Sequence, residues 1–377
     1  MRKVIALLLA AIFLLAVAVG CSDKSTPATS DTPEQPSAST GSGKTYTNVK
    51  DENDIIVAHI HGNAGIQASA LTEEGFQKAL QERGLKWQVD VTDAADDVGN
   101  LVRAIEDSVA KRVDAIVIDY TDMRPTASAL KLAYDAGIPV ITIDAGGFFP
   151  NTLCDVTTNN YEGASKLSVW VVNRMGPTGN VIIMDLDISA GVRQRTGTFR
   201  AVLDENPGIN ILEDYVVDVT RVQQDTMDAM ETYLLKYGID GIDMVYCGWD
   251  EAAYAVSKVL DERGYTSDDC FVTGFDGHWD VALSYFQQNP KWPQQASVHQ
   301  SFGSYGKIAA DLIYKVCVQG RDWDDATNGK TNIYVRGPLI TVDNVAGLTK
   351  ATLSPLTSDF YYGDYTSMSD YIFSYDE

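Results

Sequence analysis

The residues able to do chemistry in this chain fall in short polar clusters, each following an apolar run. His59, His61 and Asn63 come after one such run, and Asp144 with Ala145-Gly146-Gly147-Phe148-Phe149 after another. Further along come Asp185 and Asp187, Arg193 and Arg195, Trp249 and Asp250, and Phe275-Asp276-Gly277-His278-Trp279. This inventory suits a neutral polyol. Ionised carboxylates accept from hydroxyls, a guanidinium donates in a planar fork, and an aromatic face covers the apolar C–H side of a ring. Two other chemistries use the same residue types. A carboxylate pair such as Asp144 and Asp276 hydrolyses glycosides at the right separation. The sequence lacks Gly-x-Ser-x-Gly, His-Glu-x-x-His and an intact P-loop, however, so no enzyme is expected. His59 and His61 share a strand face and could join His299 and Asp144 around a metal. Hydrogen bonding in a pocket is the commoner use of such a pair, and neither metal nor other cofactor is expected.

The elements that must position these clusters can be read from the apolar runs. Residues 55–58, 113–118 and 138–143 are short, β-branched and bounded by turn residues, which predicts buried strands. Residues 181–184, 242–246 and 271–273 form a second set. Between strands, Val98, Leu101, Val102, Ile105 and Val109 recur at helical spacing, as do Met227, Met230 and Leu234, and Ala252, Val256, Val259 and Leu260. Alternating β and α units in two blocks predict an α/β protein of two doubly wound parallel-sheet lobes. In such sheets ligands sit outside the carboxyl ends of the strands, where the polar clusters lie.

At 377 residues, two lobes or domains are the default expectation. Acids outnumber bases 52 to 29, a net charge of −23 that excludes a phosphate-tracking nucleic-acid binder. Met1-Arg2-Lys3 followed by the uncharged stretch 4–20 predicts an export signal, and Ala18-Val19-Gly20-Cys21 resembles the bacterial lipobox, in which the Cys is acylated and tethers the protein to a membrane. Residues 21–46 are dominated by Ser, Thr, Pro and Gly and predict a flexible linker after the lipidated Cys21. Residues 354–377 predict a solvated acidic tail rich in tyrosine. Cys154, Cys247, Cys270 and Cys317 fall in or beside predicted strands and a helix, and are expected to be free, buried thiols.

Five segments in order carry a resemblance. They are 138–144 (IPVITID), 158–163 (TNNYEG), 195–199 (RTGTF), 249–252 (WDEA) and 272–277 (VTGFDG). Together they resemble the ribose-binding-protein group of type I periplasmic sugar-binding proteins, over about residues 54–348. The resemblance implies two lobes joined by a three-stranded hinge, residues 54–158 plus 301–339 forming one and 159–300 plus 340–353 the other. It implies a sugar clamped between them and delivered by a monomer to ABC permease subunits. Asp144, Arg195, Phe275, Asp276 and Gln300 fall on ligand-contacting positions of the group; His61, Asn63 and Trp249 complete the candidate set, Trp249 for stacking. Ala145 stands where the ribose binder has an arginine, Trp249 where it has an asparagine, and the small, polar neighbourhood of Ala68-Ser69 lacks the group's early aromatic pair. A guest other than ribose is therefore expected. Asp250 is expected to cap its helix. The same closed form could instead sense a sugar, nucleoside or furanosyl signal and dock a chemoreceptor or histidine kinase; either role is extracytoplasmic.

Overall fold

The computed structural model describes residues 44, 48–350 and 353. The signal segment, Cys21, nearly all of the linker and the tail 354–377 lie outside the described residues.

The chain first builds one lobe as β1 (Ile56–His61), α1 (Gln67–Arg83), β2 (Gln88–Asp93), α2 (Val98–Lys111), β3 (Ala115–Asp119), α3 (Ala127–Asp135), β4 (Val140–Ile143) and β5 (Cys154–Thr158). It then crosses to a second lobe: α4 (Asn160–Met175), β6 (Gly179–Asp185), α5 (Ala190–Asp204), β7 (Ile209–Val216), α6 (Val222–Tyr237), β8 (Met244–Cys247), α7 (Asp250–Glu262), β9 (Phe271–Asp276), α8 (Ser284–Gln288) and β10 (Gln294–His299). A second crossing returns α9 (Phe302–Ile313), α10 (Trp323–Ala326) and β11 (Asn332–Val335) to the first lobe, and a third delivers β12 (Leu339–Thr341) to the second. Each lobe holds a six-stranded sheet, ordered β11-β5-β4-β3-β1-β2 and β12-β10-β9-β8-β6-β7. All pairs are parallel except β10 with β12.

Helices cover both faces of each sheet, so the central strands have no water-facing side and are mostly apolar, with buried polar residues such as His59 and His61 of β1 among them. In the first lobe, Val57, Val117 and Ile141 pack under Phe76 of α1 and Ile308 and Leu312 of α9, while Ile116 and Ile118 face Leu101 and Ile105 of α2 on the other side. Helices α1 and α9 touch backbone to backbone. A Cβ on Gly75 would lie 1.9 Å from the carbonyl oxygen of Gly303, and one on Gly306 would lie 2.0 Å from that of Thr72. Only glycine fits either place. In the second lobe, α4 and α5 cover one face of the sheet, and α6 and α7 the other. Cys154, Cys247, Cys270 and Cys317 are buried, and none of them is in a disulfide among the described residues. Among the described residues no helix is long and apolar enough to cross a membrane.

Candidate ligand-binding site

The carboxyl ends of both sheets meet at the seam between the lobes, and a buried arginine ties them together. Arg195 lies in α5, which starts at the Ser189 cap, whose side chain accepts from Val192 N. It is 2% exposed. Its Nη2 donates to Asp144 Oδ2 of the first lobe at 3.1 Å, and its Nη1 donates to Asp276 Oδ1 of the second at 3.3 Å. Nη1 also donates to the Gly248 carbonyl at 3.1 Å, and Nε donates to Asn160 Oδ1 at 2.7 Å. The Phe275 ring lies under the guanidinium, 4.1 Å from its carbon.

Each carboxylate has further donors. Asp144 Oδ1 accepts from Thr157 Oγ1 at 2.7 Å and Asn160 Nδ2 at 3.2 Å. Asp276 Oδ1 accepts from Gln300 Nε2 at 2.8 Å, and Gln300 Oε1 in turn accepts from Tyr305 Oη at 3.1 Å. Asp144 and Asp276 adopt φ +48° and +114°, a region unfavourable for residues with a Cβ. Such strain persists where surrounding contacts fix it, and it clusters at sites that hold ligands. Burial raises the Asp276 carboxyl; Arg195 and Gln300 pull it back and Asp144 pushes it up again, leaving it at about 6.

Five of the eight candidates, Asp144, Arg195, Phe275, Asp276 and Gln300, thus form one connected network. The other three sit elsewhere. Trp249 is packed among Met184, Val192 and Val217 in the core of the second lobe. Asn63 donates to Asp96 Oδ2 at 2.6 Å, linking two loops of the first lobe. His61 Nδ1 contacts Asp119 Oδ2 at 2.7 Å.

The metal grouping of His59 and His61 with His299 and Asp144 is not assembled. His299 Nδ1 faces the Gly277 carbonyl at 3.1 Å in the other lobe, and Asp144 is engaged as above. Instead, His59 lies between two acids, with Nε2 3.1 Å from Asp119 Oδ2 and Nδ1 2.5 Å from Glu73 Oε2. Burial opposes its charge, but hydrogen bonds to Asp119 and Glu73 outweigh burial and push His59 up to about 9. The folded state therefore holds a proton that the unfolded chain releases near its ordinary value of 6.5. That contribution is complete below pH 6.5 and lost as pH rises through about 9. Denaturation between pH 6.5 and 9 should show a stability loss of about 2–3 kcal/mol that His59→Gln flattens.

Asp250 departs from the capping role read from the sequence. Its Oδ1 accepts from Gln294 Nε2 and Ser297 Oγ, both at 2.8 Å, and its Oδ2 from the His278 backbone N–H at 2.9 Å. As the first residue of α7 its side chain turns across to β10 and to the loop that carries His278, where buried donors need an acceptor.

Several residues beside the site escape sequence reasoning. Asn160 donates to Asp144 and accepts from Arg195. Tyr120, after β3, packs edge-on against Phe302 at 5.6 Å, and Phe302 stacks on His278 at 5.2 Å, an aromatic series from one lobe to the other. For Tyr120 and Phe302 the only available signal was that they follow strands, whereas Asn160 also lies within the 158–163 segment. Two cavities lie along the seam: one of about 200 Å³ bordered by His278, Gln300 and Phe302, and one of about 600 Å³ bordered by Ala145, Tyr161 and Arg193. At the latter, Gln194 Nε2 donates to the Gly146 carbonyl at 2.5 Å, and Arg193 Nη2 to Asp122 Oδ2 at 3.1 Å, both between lobes.

Residues 56–322 match the family described as periplasmic binding protein domain. The chain is 25% identical over 259 residues to a ribose import binding protein of Bacillus subtilis, covering 68% of this chain and 77% of that one. It is 29% identical over 278 residues to a D-apiose import binding protein of Paraburkholderia graminis, covering 68% and 84%. In fold it matches an ABC transporter solute-binding protein of Burkholderia graminis solved with D-arabinose, with TM-score 0.69 and 22% identity over 80% of this chain and all of that one.

Proposed function

This chain belongs to the periplasmic binding protein family, and on that premise we propose that its lobes close on a small sugar or polyol outside the cytoplasm and deliver it to an ABC importer. The observation that carries this reading is the position of Arg195, which rises from one lobe and bonds to Asp144 of the other. A guest that donates hydroxyls to Asp144 and Asp276 is thereby held by both lobes, and its contacts favour the closed form over the open one. The relatives are named as import proteins, which favours transport over docking to a kinase. Both carboxylates are engaged by the same guanidinium, which suits them to positioning rather than to acid–base catalysis. Cys21 after its lipobox-like segment is the point of lipid attachment in this reading, and the protein acts as a monomer.

A thermal-shift screen of pentoses, hexoses, polyols and nucleosides tests the proposal, because a ligand that binds only the folded form raises the melting point. Stabilisation by nucleosides alone, or by nothing in the screen, would count against it. With the stabilising sugar in hand, Asp276→Asn should weaken binding by about 1–3 kcal/mol, since the partner hydroxyl is left poorly matched in a buried site. Calorimetric titration reads this directly, and unchanged affinity would remove Asp276 from the site.

A further inference from the structure

The charges around Arg195 do not balance. Asp144 and Asp276 both depend on its one guanidinium. Ala145, which follows Asp144, is fully buried and brings no cation. Among the described residues, one other basic nitrogen approaches either carboxylate, His278 Nε2, 4.0 Å from Asp276 Oδ2. Burial lowers that imidazole to about 4, so it is neutral near pH 7. Among the described residues, Asp276 Oδ1 accepts from Arg195 Nη1 and Gln300 Nε2, whereas Oδ2 has no cation within hydrogen-bond distance, His278 Nε2 standing 4.0 Å away. Behind Asp276 stands Asp250, fully buried and bonded only to neutral donors, its carboxyl held well above the usual range by burial and by Asp276, so the excess rests on Asp144 and Asp276 alone. Closure thus confines at least one more negative than positive charge in a space from which water is being expelled. A neutral guest leaves that excess in place, and an anionic one adds to it.

We propose that the natural guest is a sugar or polyol bearing an amine, whose ammonium group sits against Asp276 Oδ2 and supplies the positive charge that the protein omits. The proposal rests on the sugar-capture reading above and narrows its ligand class. An ammonium has three donors and no acceptor, which suits a carboxylate oxygen with no cation at hydrogen-bond distance, and charge-assisted bonds of this kind are about twice as strong as neutral ones. The remaining hydroxyls are left to Asp144 and Arg195. The carboxyl pushed up to about 6 at Asp276 accords with a cation still to come.

The test is titration of the purified protein near pH 7 with matched pairs: glucosamine against glucose, an amino-deoxyinositol against myo-inositol, and 1-amino-1-deoxyribitol against ribitol. In at least one pair the amine should bind tighter by about tenfold or more. N-acetylation, which keeps the nitrogen and removes its charge, should abolish the advantage, and so should Asp276→Asn. Binding in which the neutral partner equals or exceeds the amine in every pair would overturn the charge inference and leave sugar capture standing. An advantage that survives Asp276→Asn, or that chelation of divalent metal abolishes, would also overturn it. Failure of both series together with the wider sugar screen would remove the sugar reading, and the amine with it.

Discussion

Replacing Arg195 with Met is expected to abolish ligand binding and to lower the stability of the unliganded protein by about 3–5 kcal/mol, the range for removing one partner of a buried ion pair. Methionine keeps much of the stem volume and can pack on Phe275, so the loss isolates the guanidinium. Without it, Asp144 and Asp276 lose their shared cation, and the Gly248 carbonyl and Asn160 Oδ1 lose a donor. Urea denaturation read alongside calorimetry separates the two effects. A variant of wild-type stability that still binds would show that the arginine is peripheral. Mutating the two aspartates to Asn in the Met background should recover part of the stability without restoring binding, because the buried negative charges are then gone.

The second large effect concerns closure. Gly146 sits at φ +90° in the loop after β4, and a Cβ there would lie 2.4 Å from the Ala190 Cβ at the start of α5. Gly146→Ala should therefore hold the lobes apart and weaken ligand binding by about tenfold or more, since closure and binding share one free energy. Gly147 is the control. It has φ +128°, and the nearest atom to a Cβ there, Asn332 Oδ1, is 3.8 Å away, so Gly147→Ala strains the backbone without a contact between lobes. Ala190→Gly in the Gly146→Ala background should restore affinity, while small-angle scattering follows the return from a more open shape. Equal affinity losses in the two single variants would show that loop strain, not the steric stop, is responsible.

What the sequence disclosed and what it withheld divide along a physical line. Strands such as β3 and β4 were legible because both faces are buried and, but for Asp119 and Thr142, every residue is apolar. Edge strands β2 and β7 alternate with polar residues and expose much of their length, and nothing in their pattern marked them. In the site, Asp144, Arg195 and Asp276 stand out in the sequence because ordered motifs carry them, and Gln300 only because the resemblance extends past them. Asn160 lies within one of those motifs and was overlooked, although its amide joins Asp144 to Arg195. Asp250 was misread because the donors it satisfies lie at Ser297 and Gln294, far along the chain, and a local cap was the nearer explanation. The His59–Asp119–Glu73 grouping depends likewise on β1, β3 and α1 meeting, which no local spacing reveals.

The return of α9 and β11 to the first lobe has a consequence for synthesis. Thr72 Oγ1 donates to the Phe302 carbonyl across 230 residues of chain, and β11 supplies the edge partner of β5. While the ribosome is still making the second lobe, the first lacks one strand of its sheet and the helix against which α1 is fitted. It can finish only when almost the whole polypeptide has emerged, so the first lobe's final compaction waits on completion of the second.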